Sequence, residues 1–171
     1  TLLSLGHGYS CAARAARLRP LGWRVIGTTR SASNLDRLRA SGVEPLLWPC
    51  DLVPALAQAS HILASAAPDG SGDPFLHAAL PLICAARPEW VGYLSTTAVY
   101  GDHQGGWVDE DTPPKPGQPR SIERLATERA WQALGEVGLQ NNVTLFTASD
   151  FGRTYSSNGD AFLEHDRTVK N

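Results

Sequence analysis

Two glycines one residue apart close an apolar run at the start of the chain: Leu2-Leu3-Ser4-Leu5-Gly6-His7-Gly8-Tyr9-Ser10-Cys11. An Ala/Arg/Leu helix pattern follows at once. A strand, a tight turn and a helix start form the context in which a G-x-G-x-x-G string binds a dinucleotide. Gly6 permits the turn. Gly8 lets the backbone approach a pyrophosphate at the positive end of the helix. Cys11 stands where a third glycine or an alanine is expected; it is small enough to keep helix and strand close. An ordinary strand-to-helix turn explains the same string without any ligand.

About twenty residues on, after a Pro20/Gly22 break, comes Trp23-Arg24-Val25-Ile26-Gly27-Thr28-Thr29-Arg30-Ser31. In a dinucleotide fold the end of this second strand meets the adenine ribose. A carboxylate there bonds the 2′-hydroxyl and favours NAD. This chain has Thr28, Thr29, Arg30 and Ser31 instead. A guanidinium flanked by hydroxyls suits a 2′-phosphate, which Arg grips bidentately. The expected cofactor is therefore NADP ahead of NAD. The competing explanation is a solvated arginine, one of 13 in the chain.

Other chemistries find little support. The five histidines, His7, His61, His77, His103 and His165, show no metal-ligand spacing, so no metal site is expected. No G-x-S-x-G elbow occurs. His103 is the substitute acid or base to weigh, against a plain surface histidine. The formal net charge of −2 gives no sign of a nucleic-acid or membrane surface. No apolar run is long enough to span a bilayer, and no signal-like segment opens the chain. Cys11, Cys50 and Cys84 are an odd number without C-x-x-C spacing; they read as free thiols of a cytoplasmic protein. The chain lacks Met and begins inside its first strand, which predicts a fragment or a trimmed piece.

These residues need a scaffold, and the pattern supplies one. Helix is expected from about Ser10 to Leu18, and strand from Trp23 to Thr29. Helix follows over Ser33 to Ala40, stopping at Gly42, and strand over Val43 to Trp48. A short helix from Leu52 to Ala59 leads to a strand from His61 to Ala66. Asp73-Pro74 is an N-cap with proline at the first helical position. That helix heads for Arg87, and Pro81 is expected to kink or split it. Strand resumes over Val91 to Thr96, a Gly/Pro-rich loop spans Gly101 to Pro119, and a last helix covers Ser121 to Leu134. Its expected inner face is Ile122, Leu125, Ala126, Ala130, Ala133 and Leu134. Alternating strands and helices predict an α/β fold, a parallel sheet with helices on both faces.

The stretch Val91-Gly92-Tyr93-Leu94-Ser95-Thr96-Thr97-Ala98-Val99-Tyr100-Gly101 resembles the S-[ST]-x-x-V-Y-G signature of extended short-chain dehydrogenase/reductases, the NAD-dependent epimerase/dehydratase family. The likeness covers about residues 2–134. It includes G-H-G-Y-S, G-T-T-R, Asp51-Leu52, Ala64-Ser65-Ala66-Ala67 and Val108-Asp109-Glu110-Asp111-Thr112-Pro113. It implies a Rossmann-type domain over residues 1–139, cut off before the substrate domain. It also implies that Thr96 touches substrate and supports proton transfer, and that Asp51 and Leu52 meet adenine. The backbone of Ser65, Ala66 and Ala67 would pass the cofactor, and the turn Gly6, His7, Gly8, Tyr9 and Ser10 would hold its phosphates.

One departure is large. The family's acid/base is the Tyr of Y-x-x-x-K, and no such string exists in this chain. Counting back from Glu128, the counterpart of the family's helix glutamate, the Tyr position falls on Arg120 and the Lys position on Arg124. Arginine keeps its proton at any usable pH, so Arg120 cannot replace the phenol. Arg124 can still hold a ribose or phosphate oxygen. Two function classes follow. One is an NADP-dependent epimerase, dehydratase or reductase acting on a small, unidentified substrate. The other is a non-catalytic NADP(H)-binding sensor or inactive relative. A homodimer is the assembly considered for either.

Composition breaks near Gly135 to Leu139. Three of the four Phe lie beyond it, and all five Trp lie at or before Trp131. Val143 to Thr147 fits a sixth strand. The run from Phe146 to Asp160 resembles a segment of a sulfatase-like family of uncharacterised bacterial proteins, which implies that residues 140–171 are a tail of different origin.

Overall fold

A computed structural model of the chain describes residues 1–134 and 143–147. Six parallel strands form one sheet in the order β3-β2-β1-β4-β5-β6. They are β1 Leu2–Leu5, β2 Val25–Thr29, β3 Glu44–Leu47, β4 His61–Ala64, β5 Trp90–Ser95 and β6 Val143–Thr147. The chain steps outward from β1 to β3, then returns to lay β4, β5 and β6 on the other side of β1. With right-handed crossovers, that reversal sends α1 (Tyr9–Leu18) and α2 (Leu35–Ala40) to one face. It sends α3 (Val53–Leu56), α4 (Pro74–Ala86) and α5 (Pro119–Gln132) to the other.

The cores record this division. Leu2, Cys11, Ala15, Val25, Leu38 and Val43 form one cluster with α1 and α2. Leu3, Leu5, Ile62, Phe75, Ile83, Val91 and Trp131 form the other, with α3, α4 and α5. Leu2 and Leu3 go to opposite clusters because successive strand side chains point to opposite faces. Covered on both faces, β1 reads as an almost unbroken apolar run. The expected Rossmann-type α/β fold is the one found.

One expectation is narrowed and one fails. Pro81 does not split its helix: α4 runs from Pro74 to Ala86 with Pro81 inside it. Pro81 and His77 are both exposed, so the His77 carbonyl, deprived of its i+4 donor, is on the wet side where water can replace the lost bond. The inner face of α5 is also not the expected one. Ser121, Thr127, Glu128 and Trp131 are buried, while Ala126, Ala130 and Ala133 are exposed and Ile122 is 54% exposed. Leu134 alone of the expected face is buried, with Leu125 partly so. Polar partners inside the domain, described below, decide the helix's rotation over its apolar periodicity. The expected β6 is present, and Val143 and Leu145 pack on the core. The sulfatase-like run lies outside the described residues except at its first two positions, which belong to β6.

Candidate dinucleotide site

The sheet order reverses beside β1, so the crevice for a ligand lies past the C-terminal ends of β1 and β4. Gly6 turns there with φ +83, a conformation that disfavours a side chain. A carbon added at Gly6 would also lie 2.8 Å from the Ala66 backbone nitrogen. The turn is held from both neighbouring strands. The Gly6 N–H donates to Thr28 Oγ1 (2.7 Å), the His7 N–H donates to the Thr28 carbonyl (2.8 Å), and Ser65 Oγ donates to the Gly6 carbonyl (2.6 Å).

Gly8 is the N-cap of α1. No side chain caps this helix, and its first turn holds no acidic residue. The N-terminal amides therefore face the crevice without a protein carboxylate in the way, the arrangement that accepts a phosphate. A carbon added at Gly8 would meet only the Gly6 carbonyl, at 4.0 Å; the space above the turn is open. These features fit a dinucleotide pyrophosphate. Tyr9 opens the helix at 83% exposure, and Ser10 follows it in the first turn. Cys11 is fully buried, with Sγ 3.2 Å from Ser65 Oγ. The third fingerprint position is thus a packing contact, and burial pushes its thiol pKa up.

At the end of β2, Thr29 is half-buried and Arg30 and Ser31 are exposed. The Ser31 N–H donates to Thr29 Oγ1 (3.3 Å), and the Ser31 and Ser33 hydroxyls lie 2.7 Å apart. No ion pair among the described residues engages Arg30, although Asp69 lies within its electrostatic reach. Past β3, the exposed Asp51 accepts the Val53 N–H at the start of α3 (2.9 Å). The Leu52 side chain belongs to the core at 2% exposure, so only the backbone of this residue is available to a ligand.

The residues to which the resemblance implies catalytic roles have unlike surroundings. Thr96 follows β5 and caps a short 3-10 turn, Oγ1 accepting the Ala98 N–H (3.3 Å). Arg120 is exposed at the second residue of α5. Arg124 points inward: Nη1 lies 2.9 Å from the Tyr93 hydroxyl and 3.4 Å from the carbonyls of Ala66 and Leu94. Tyr93 is fully buried and stacks on Trp131. Burial pushes its phenol up to about 12, against the pull of Arg124, and its full burial closes it to a substrate in this structure. Glu128 is also buried, and desolvation raises its pKa against the lowering effect of Ser95, Arg124 and Arg129. His103 is half-buried, with Nε2 3.0 Å from the Tyr100 carbonyl. The glycine of V-Y-G has a local reason: Gly101 has φ +76, and an added carbon would strike the Lys115 carbonyl.

Sequence reading placed Thr28 at the ribose end of β2 but missed it, and Tyr93, as organisers. Thr28 holds Gly6, and Tyr93 receives Arg124. Both look like ordinary β-formers, and their partners are remote in the chain.

No family model and no curated protein matches the chain. Solved structures do. A functionally unknown conserved protein from Silicibacter pomeroyi DSS is 48% identical, with a TM-score of 0.79 over 86% of this chain and 51% of its own. UDP-glucose-4-epimerase from Stenotrophomonas maltophila, with bound NAD, is 19% identical at a TM-score of 0.64, covering 86% and 52%. UDP-glucuronic acid 4-epimerase from Bacillus cereus, in complex with NAD, is 17% identical at 0.67, covering 86% and 56%. The two epimerases share the Rossmann-like fold. The chain spans about half the length of all three.

Proposed function

We propose that this chain is an NADP(H)-binding Rossmann module related to the nucleotide-sugar epimerases, in which the tyrosine–lysine dyad has been lost. The observation that carries this reading is the uncapped α1 N-terminus behind a glycine turn, braced by Thr28 and Ser65. The fold shared with NAD-bound epimerases supports a dinucleotide as the ligand. Arg30 and its neighbouring hydroxyls favour the 2′-phosphate within that class. Free Cys11, Cys50 and Cys84 favour a reducing cytoplasm, and no described helix is long and apolar enough to cross a membrane.

In this reading the chain's residues bind and orient. The amides at the start of α1 take the pyrophosphate, the Ser65–Ala67 backbone borders the cofactor, and Asp51 and Leu52 flank the adenine. When bound, the cofactor would supply hydride chemistry. Thr96 is the hydroxyl best placed by likeness to meet a substrate. The absence of a phenol partner favours retention of NADP(H) without turnover, as in a sensor, over epimerase, dehydratase or reductase catalysis.

Titration of the chain with NADPH and NADH, followed by a check for oxidation, tests this. NADPH is expected to bind more tightly, and Arg30→Asp to reverse the order. A charged hydrogen bond to phosphate makes the change about tenfold or more. Equal binding of the two by wild type, or an unchanged ratio in the variant, would refute the role of Arg30.

A further inference from the structure

We propose that Arg124 is a positioning residue for the nucleotide site: it clamps the β4 exit strand against β5 and so fixes the backbone that borders the cofactor. The proposal rests on the dinucleotide reading above. Arg124 occupies the slot where the resemblance implies a ribose-binding lysine, yet its Nη1 is used within the protein. Two N–H bonds on that nitrogen are shared among Tyr93 Oη at 2.9 Å and the carbonyls of Ala66 and Leu94 at 3.4 Å. The guanidinium carbon also lies 5.8 Å from the centre of the Tyr93 ring.

What lies beneath Arg124 is rigid. Tyr93 is fully buried and stacks on Trp131 with ring centres 6.0 Å apart. Trp131 Nε1 donates to Asp73 Oδ2 (3.1 Å), and Asp73 caps α4. What lies above it borders the site. Ala66 follows Ser65, whose hydroxyl donates to the Gly6 carbonyl, and the Ala66 nitrogen crowds the space a Gly6 side chain would need. The segment is thus held on one side by the glycine turn and on the other by Arg124. All three contacts are made by Nη1, which stands one bond farther from the backbone than a lysine Nζ, so a lysine at this position falls short of them.

The test is a double-mutant cycle in the full chain, with Kd values for NADPH and NADH. Carbonyl-carbon NMR of Ala66 is recorded in the cofactor-free protein. Tyr93→Phe removes only the hydroxyl and keeps the stacked ring, so it carries the test if Arg124→Met fails to fold. Arg124→Met is expected to weaken both nucleotides equally, about tenfold, as loss of a charge-assisted hydrogen bond implies. Tyr93→Phe should weaken both by less, its effect should vanish in the Arg124→Met background, and Arg124→Lys should not restore binding. The Ala66 carbonyl signal should move in each variant. Full restoration by Arg124→Lys together with a silent Tyr93→Phe would overturn the proposal, because Arg124 would then be acting on the ligand itself. Should wild type bind neither nucleotide, the dinucleotide reading fails. The cofactor-free spectra then decide the clamp: a moved Ala66 signal upholds it, and an unmoved one refutes it.

Discussion

His7 follows the first glycine of the turn, is 6% exposed, and has no hydrogen-bond partner for either ring nitrogen among the described residues. Burial, with help from the Arg37 guanidinium, holds its pKa below the usual 6.5. The folded protein therefore keeps this imidazole neutral, whereas the unfolded chain protonates it below that pH. Stability linked to His7 is complete above about pH 6.5 and is lost as pH falls from there through the lowered folded pKa. Denaturant unfolding at pH 7.5 and pH 5.5 should show wild type losing more stability on acidification than His7→Leu. A single proton limits that extra slope to about 1.4 kcal/mol per pH unit. His61, whose pKa burial also lowers, titrates in both proteins and cancels from the comparison. Equal losses would mean that the His7 ring is not held neutral. Gly6 and Gly8 were legible in the sequence because turn chemistry is local. His7 was legible as a site neighbour, while its burial over Gly27 depends on packing between strands and could not be read from spacing.

Among the elements, α4 and α5 show where local reading works and where it stops. Asp73-Pro74 announced α4 correctly, and Asp73 Oδ1 accepts the amides of Phe75 (2.8 Å) and Leu76 (3.0 Å). Its other oxygen takes the Trp131 indole of α5, a link across 58 residues that no local pattern reveals. Asp73→Ala should destabilise the protein by about 3 kcal/mol, summing a lost cap with a buried indole N–H left unpaired. Asp73→Asn can keep the cap but presents an amide N–H to the indole, so its loss should fall between wild type and Ala. Urea unfolding measures both. A loss for Asn equal to that for Ala would show that the indole bond, not the cap, carries the stability. The rotation of α5 was illegible for a related reason. Arg124 is drawn in by Tyr93 and the strand-end carbonyls, and Trp131 by Asp73; these buried partners outweigh the burial of three alanines and one isoleucine.

Among the described residues, that rotation leaves an apolar stripe exposed. Ile122, Ala126, Ala130 and Ala133 line the outside of α5, and Leu80 of α4 is 40% exposed beside the same groove. We propose that a second copy of the chain covers this stripe. Antiparallel pairing of two α5 helices about Ala126 would set Ile122 at the level of Ala130 of the other copy. Such a two-fold contact would present the same surface from both copies. Small residues at its centre allow helix axes to approach to about 8–10 Å. The chain is expected to run as a homodimer in light scattering coupled to size-exclusion chromatography. Ala126→Glu should make it monomeric by placing two carboxylates face to face on the axis. Because Ala126 is already exposed in a single copy, the variant should keep its far-UV circular dichroism and its NADPH affinity. A wild type that stays monomeric at its highest soluble concentration would remove the dimer, and a dimer that survives Ala126→Glu would place the interface on another face.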